Sequence, residues 1–83
     1  MKIKYYLYRL YNSDVNYTPL KVKSGQTISE ALEKVFGEGC HRADPRHGSY
    51  TLPNGDLISV TKVNELFIKA NLQWIDMPTD WEW

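Results

Sequence analysis

The sequence has a single cysteine, Cys40, and no long apolar run. One cysteine excludes an intrachain disulfide, and secreted domains of this size usually depend on disulfides for stability. No stretch approaches the ~20 apolar residues that a membrane-spanning helix requires. The first residues alternate in character instead of forming the apolar core of a signal peptide. These absences predict a cytoplasmic protein without a membrane segment.

The chain also lacks net charge, because ten basic residues balance ten acidic ones. Nonspecific nucleic-acid binding needs many phosphate contacts, so this balance argues against it as the main activity. The charges are unevenly placed, however. Residues 1–23 hold five basic side chains and one acidic one, whereas residues 63–83 hold four acidic side chains and one basic one. The two parts either attract each other within the fold or form separate docking surfaces.

The remaining composition is that of one small globular domain. Eighty-three residues, 42% hydrophobic and 24% charged, are enough for a single core and too few for two. Three Trp and six Tyr are many for this length. Large rings fill a small core efficiently and are also enriched at interfaces, so each ring has two interpretations, with core packing as the default.

Alternating patterns predict strands at 2–11 and 17–23, joined as a hairpin. A helix over 28–36 follows, because Thr27 and Glu30 have the spacing of a capping box. Apolar residues recur at helical spacing over this range. Gly37 is expected to end the helix, since glycine enters the left-handed region cheaply.

A second predicted hairpin turns through Pro53-Asn54-Gly55-Asp56, between SYTL and LISVTKV. The range 63–75 fits either a strand or a helix, and the strand is slightly favoured because most of its apolar residues alternate. The sequence thus predicts an α+β domain over 1–75, with one well-capped helix on a mostly antiparallel or mixed sheet of four to five strands. The order is ββαββ plus a last strand or helix, and 76–83 form an acidic, aromatic tail.

Two stretches resemble the ubiquitin-like, or β-grasp, architecture. Residues 20–35 (LKVKSGQTISEALEKV) look like the second strand, turn and capped helix of small sulfur carriers. Residues 54–60 (NGDLISV) look like the Gly-Asp strand entry that comes late in that fold. The Gly-Gly ending of the modifiers and the cysteine cluster of the iron–sulfur members have no counterpart in this sequence. The resemblance therefore implies a fold and a role as a binding platform, without chemistry.

Residues 37–48 (GEGCHRADPRHG) are predicted to form a long loop that concentrates reactive side chains. Structural zinc needs four ligands and usually pairs them in two clusters, whereas only one cluster is present here. A Cys–His nucleophilic pair would need a pocket that so small a domain rarely encloses. Arginines beside glycines fit anion binding better than they fit a zinc site or a nucleophile. A solvated turn is the default interpretation of this segment. We therefore predict no catalytic residue, metal or cofactor, and a partner- or anion-binding loop. Its candidate contacts are His41, Arg42, Arg46 and His47, beside Cys40 and Asp44.

The first strand interleaves aromatic and basic side chains, a pattern that can stack single-stranded bases. We favour the alternative interpretation, in which Tyr5 and Leu7 face the helix while Tyr6 and Tyr8 pack under the tail. The candidate nucleic-acid contacts are Lys2, Lys4, Tyr6 and Tyr8.

Acidic and aromatic residues alternate in the tail, which either folds back on the sheet or forms an interface. Its candidate contacts are Trp74, Asp80, Trp81, Glu82 and Trp83. The sequence as a whole predicts a small non-catalytic protein-binding module that acts as an inhibitor, adaptor or modulator of a larger partner. Such proteins are typical of mobile genetic elements. A single-stranded nucleic-acid or phosphate binder is the rival, and a homodimer through the first or last strand is a further alternative.

Overall fold

The computed structural model describes residues 2–11, 15–44 and 48–82 and has an α+β fold. All strand pairs in its five-stranded sheet are antiparallel, in the order β2-β1-β5-β4-β3. The predicted class and the upper strand number are confirmed. The elements are β1 (Ile3–Leu10), β2 (Thr18–Lys23), α1 (Ile28–Phe36), β3 (His41–Asp44), β4 (Ser49–Thr51), β5 (Leu57–Val63), α2 (Glu65–Ala70) and a 3-10 helix (Leu72–Trp74).

Strand β1 lies inside the sheet, because β2 and β5 pair with its two edges. It therefore has no free edge through which two copies of the chain could pair. The last element is a helix, so it offers no strand either. The free edges belong to β2 and β3. On β2, Pro19 has no N–H, and the N–H of Lys23 donates to Gln26 Oε1 at 3.1 Å. This edge is thereby protected from strand addition.

The predicted loop at 37–48 contains a strand that the sequence pattern did not indicate. β3 pairs with β4, and its register shifts between Arg42 and Asp44. Its side chains at 41–43 are exposed, so backbone pairing to β4 holds the strand without an apolar pattern. The observed order is therefore ββαβββα, not ββαββ. Residues 45–47, with Arg46 and His47, lie outside the described residues.

Helix α1 begins with the predicted capping box. The N–H of Glu30 donates to Thr27 Oγ1 at 3.1 Å, and the N–H of Thr27 donates to Glu30 Oε1 at 3.3 Å. The helix ends at Phe36 as predicted, but Gly37 has φ 98° and ψ 173°, which is not the left-handed helical turn. Glycine is still required there, because side chains disfavour a positive φ.

The preferred strand over 63–75 is wrong. Asn64 caps α2, and its Oδ1 accepts the N–H of Phe67 at 2.7 Å. The helical alternative predicted a buried apolar stripe of Val63, Leu66, Phe67, Ala70 and Trp74. This stripe is wrong as well, because Ile68 and Ile75 are the buried residues and Leu66 is exposed. An N-cap amide and a single buried isoleucine are thus enough to fix this short helix on the sheet.

The two faces of the sheet carry separate cores. Helix α1 covers the first face over a large cluster, and α2 and the tail cover part of the second face over a small one. The first cluster is Tyr8, Leu20, Val22, Ala31, Leu32, Cys40, Tyr50, Leu52, Ile58 and Val60. The second is Leu7, Ile68 and Ile75, with the partly buried Tyr5, Tyr17, Val63, Met77 and Trp81.

This arrangement reverses the expected orientation of β1. Tyr6 and Tyr8 face the α1 side, whereas Tyr5 and Leu7 lie under α2 and the tail. Both faces of β1 are apolar, so the strand pattern alone did not decide which face met which helix. No helix in the described parts of the chain is long and apolar enough to cross a membrane.

Candidate binding surfaces

An apolar cleft of about 280 Å³ opens on the second face, where α2 and the 3-10 helix meet the sheet. We call it the aromatic cleft. Phe67, Asn71 and Trp74 line one wall, at a spacing of four and three residues that places them on one side of the helical segment. The sheet supplies the floor. Within the described residues, the lining is Leu7, Tyr17, Thr61, Val63, Phe67, Asn71, Trp74 and Ile75, without a charged side chain.

Large apolar side chains are exposed around this cleft. Trp74 is 62% exposed and Phe67 is 46% exposed. Leu66, on the same helix, is 74% exposed but does not line the cleft. A cluster of exposed rings beside an apolar concavity is unusual on a monomer and typical of a binding surface.

Hydrogen bonds hold the walls of the cleft in place. Asn71 Nδ2 donates to the carbonyl oxygen of Phe67 at 2.8 Å, and its backbone N–H donates to Ile68 O at 3.2 Å. Tyr17 bridges to Ile75, and its carbonyl accepts the N–H of Asp76 at 2.8 Å. The amide nitrogen of Asn71 and the carbonyl oxygen of Tyr17 are thus engaged in the fold.

The tail folds back over β1 and β2, one of the two arrangements considered for it. The Trp81 ring lies 6.1 Å from that of Tyr5, and Lys21 Nζ lies 4.6 Å from the Trp81 ring centre. Lys21 Nζ also donates to the carbonyl oxygen of Glu82. The Trp81 side chain is therefore partly buried by these contacts. The side chains of Asp80 and Glu82 are exposed, and Trp83 lies outside the described residues.

The basic and aromatic side chains of the first strand are only partly brought together. Lys2, Lys4 and Tyr6 line a surface depression of about 330 Å³, to which the end of β2 contributes Lys23. We call it the lysine depression. Tyr8 lies instead in the α1 core, where burial raises the pKa of its phenol. It is therefore removed from the predicted nucleic-acid surface.

The Cys40 side chain points into the fold and not toward solvent. It is buried, and its Sγ lies 3.6 Å from the carbonyl oxygen of Gly37. Burial, and next the negative charge of Glu33, raise the pKa of this thiol. A reactive cysteine needs the opposite, a lowered pKa and access. Next to it, His41 and Arg42 are exposed on β3, so the neighbouring Cys40 and His41 point in different directions.

No match to a known protein family, a curated protein or a solved structure was found. The argument for a function therefore depends on the surfaces themselves. Sequence reasoning identified Trp74 but missed Phe67, Asn71 and Tyr17, which complete the cleft. Asn64, a favoured N-cap residue just before an apolar run, could have indicated the helix that assembles them.

Proposed function

We propose that this protein is a small non-catalytic protein-binding module, and that an apolar side chain of a partner protein inserts between Phe67 and Trp74. The observation that carries the proposal is the exposure of Trp74 at the mouth of the aromatic cleft. Tryptophan is among the residues that contribute most to binding free energy when a partner buries them.

The chemistry of the cleft favours a side chain over a metabolite. Among the described residues no charged side chain lines it, and the Arg9 guanidinium is stacked 4.5 Å from the ring centre of Tyr17. Its volume of about 280 Å³ is also slightly below the ~300–1,000 Å³ of typical small-molecule pockets. Burying both rings against an aliphatic or aromatic anchor would remove apolar surface from water, which is the main source of affinity at the centre of an interface.

The role within this class is an inhibitor, adaptor or modulator of a larger protein, acting in the cytoplasm. The β-grasp resemblance stays a prediction and carries no part of this proposal.

The test compares Trp74→Ala with Leu66→Ala, which truncates an exposed apolar side chain of α2 that does not line the cleft. Partners are captured from the native host with both variants and the wild type, and the recovered protein is then purified and titrated. We expect Trp74→Ala to weaken binding by ~30-fold or more, as for a hot-spot residue, and Leu66→Ala to bind like the wild type.

Equal affinity of the two variants for the purified partner would contradict the proposal. Sedimentation of the isolated protein gives a second check. A concentration-dependent dimer that Trp74→Ala abolishes would assign the cleft to a second copy of the chain, and would also contradict it.

A further inference from the structure

Lysines from three strands converge where β1 begins. Lys2 and Lys4 come from the start of the chain, and Lys23 ends β2. Lys62 of β5 lies directly opposite Tyr6 in the antiparallel register. Because residues paired in this way project from the same face, Lys62 projects beside Tyr6 together with Lys2 and Lys4, whereas Lys23, which is paired with Ile3, lies at the margin of the depression. The chain therefore has a concentrated basic surface although its net charge is zero.

We infer that the lysine depression binds the phosphate backbone of single-stranded nucleic acid, independently of the aromatic cleft. Within the described residues, none of the four ammonium groups forms an ion pair. The nearby Glu30 carboxylate is engaged by the Thr27 N–H and hydroxyl, at 3.3 and 3.1 Å. The basic charge at this surface is therefore directed mainly at solvent.

The composition of the depression favours nucleic acid over a protein partner. Lysine is depleted in the cores of protein interfaces because its ammonium group is strongly hydrated. Single-stranded nucleic acid, in contrast, is held by basic grooves with aromatic rings on which bases stack. Tyr6 supplies such a ring, half-buried among the lysines.

The loop that forms the outer wall suits contacts to a sugar–phosphate backbone. It consists of residues 24–27 (SGQT), in which the Ser24 hydroxyl and the Gln26 amide nitrogen are of the types that meet phosphates, whereas the N–H and hydroxyl of Thr27 already bond to Glu30. Gly25 has φ 83°, and the space where its Cβ would lie is open. A nucleic-acid strand can therefore approach the protein backbone closely at this residue. A depression of about 330 Å³ lined by three lysines, with Lys62 beside it, offers too small a footprint for a long duplex contact.

The number of lysines limits the salt dependence. For single strands the slope of log affinity against log salt is about −0.7 per phosphate contact, so four contacts give a slope of about −3 at most. Fluorescence anisotropy of a labelled short oligothymidylate, titrated with the full chain across a salt series, measures this slope. The matched variants are Lys4→Glu and Lys34→Glu, since Lys34 is an exposed lysine in the last turn of α1, at the opposite end of that helix.

We expect Lys4→Glu to weaken binding by about tenfold and to reduce the slope by about 0.7, while Lys34→Glu leaves both near wild type. Circular dichroism of each variant establishes that it is folded. The inference is overturned if the wild type shows no anisotropy change at low salt or if both variants weaken binding equally. Equal competition by polyglutamate would overturn it too, because the surface would then attract polyanions of any kind.

Discussion

Ile68→Ala is the substitution that should most directly disturb the layer that carries the aromatic cleft. Ile68 is the fully buried residue of α2, with an exposed fraction of 0%. It forms the second-face core with Leu7 and Ile75. Since α2 has six residues, this one side chain is its principal anchor to the sheet.

The magnitude follows from the atoms removed. Three buried carbon groups at about 0.8 kcal/mol each give roughly 2.4 kcal/mol. The residual cavity raises the cost of such truncations to about 2–5 kcal/mol, so we expect about 3 kcal/mol. A domain of this length has a free energy of unfolding of roughly 4–12 kcal/mol, of which this loss is a quarter or more.

Urea unfolding, followed by far-UV circular dichroism and by tryptophan fluorescence, measures the effect. The two tryptophans in the described part of the chain, Trp74 and Trp81, lie in the second-face layer, so their fluorescence reports on it, whereas dichroism reports on the whole fold. For Ile68→Ala we expect the fluorescence midpoint to fall below the dichroism midpoint, because the layer opens first.

The control is Leu66→Ala, which removes an exposed apolar side chain from the same helix and should change stability by less than about 0.5 kcal/mol. The reasoning is refuted if Ile68→Ala costs less than about 1 kcal/mol, or no more than Leu66→Ala.

Two further predictions concern the α1 side of the sheet. Thr27→Ala should cost about 1 kcal/mol in urea unfolding, because it removes the capping box, and Ser29→Ala in the same turn is the control; equal costs would contradict the role of the cap. The raised pKa values of Cys40 and Tyr8 mean that both groups keep their protons in the folded state after the unfolded chain has lost them. Their contribution to stability is complete below the ordinary values of 9.0 and 10.0, and is lost as pH rises through the raised ones. The urea midpoint should therefore fall as the pH rises above about 9.0, and less so in Cys40→Ser; an equal fall in that variant would exclude a contribution from the thiol.

Local signals predicted the elements that depend on neighbouring residues. Thr27 and Glu30 satisfy each other over three positions, so α1 could be predicted to its first and last residue. Turn chemistry likewise placed the second hairpin, where the N–H of Gly55 donates to Leu52 O at 2.9 Å. Such interactions are nearly independent of the remaining chain.

The elements that depend on distant residues were missed. Helix α2 competes with a strand of equal apolar content, and packing of Ile68 in the cluster with Leu7 adds to the local Asn64 cap in favouring the helix. The orientation of β1 is set by which helix covers which face, and the alternation of the strand carries no information about that. The cleft needs Tyr17, Thr61 and Trp74, which are far apart in the sequence and meet only in the folded sheet.

The location of the cleft follows from a mismatch between the sheet and its second cover. Five strands spaced about 4.8 Å apart make a sheet about 19 Å wide, whereas a helix is about 10 Å across and six helical residues extend about 9 Å. Helix α2 therefore covers only part of the second face. Beyond it the hydroxyls of Tyr11 and Ser49 bond to each other at 2.6 Å, and Leu57 is exposed on the same face. At the border, Phe67 and Trp74 have apolar floor on one side and solvent on the other. A partner's side chain at this border would cover the apolar surface that α2 leaves exposed.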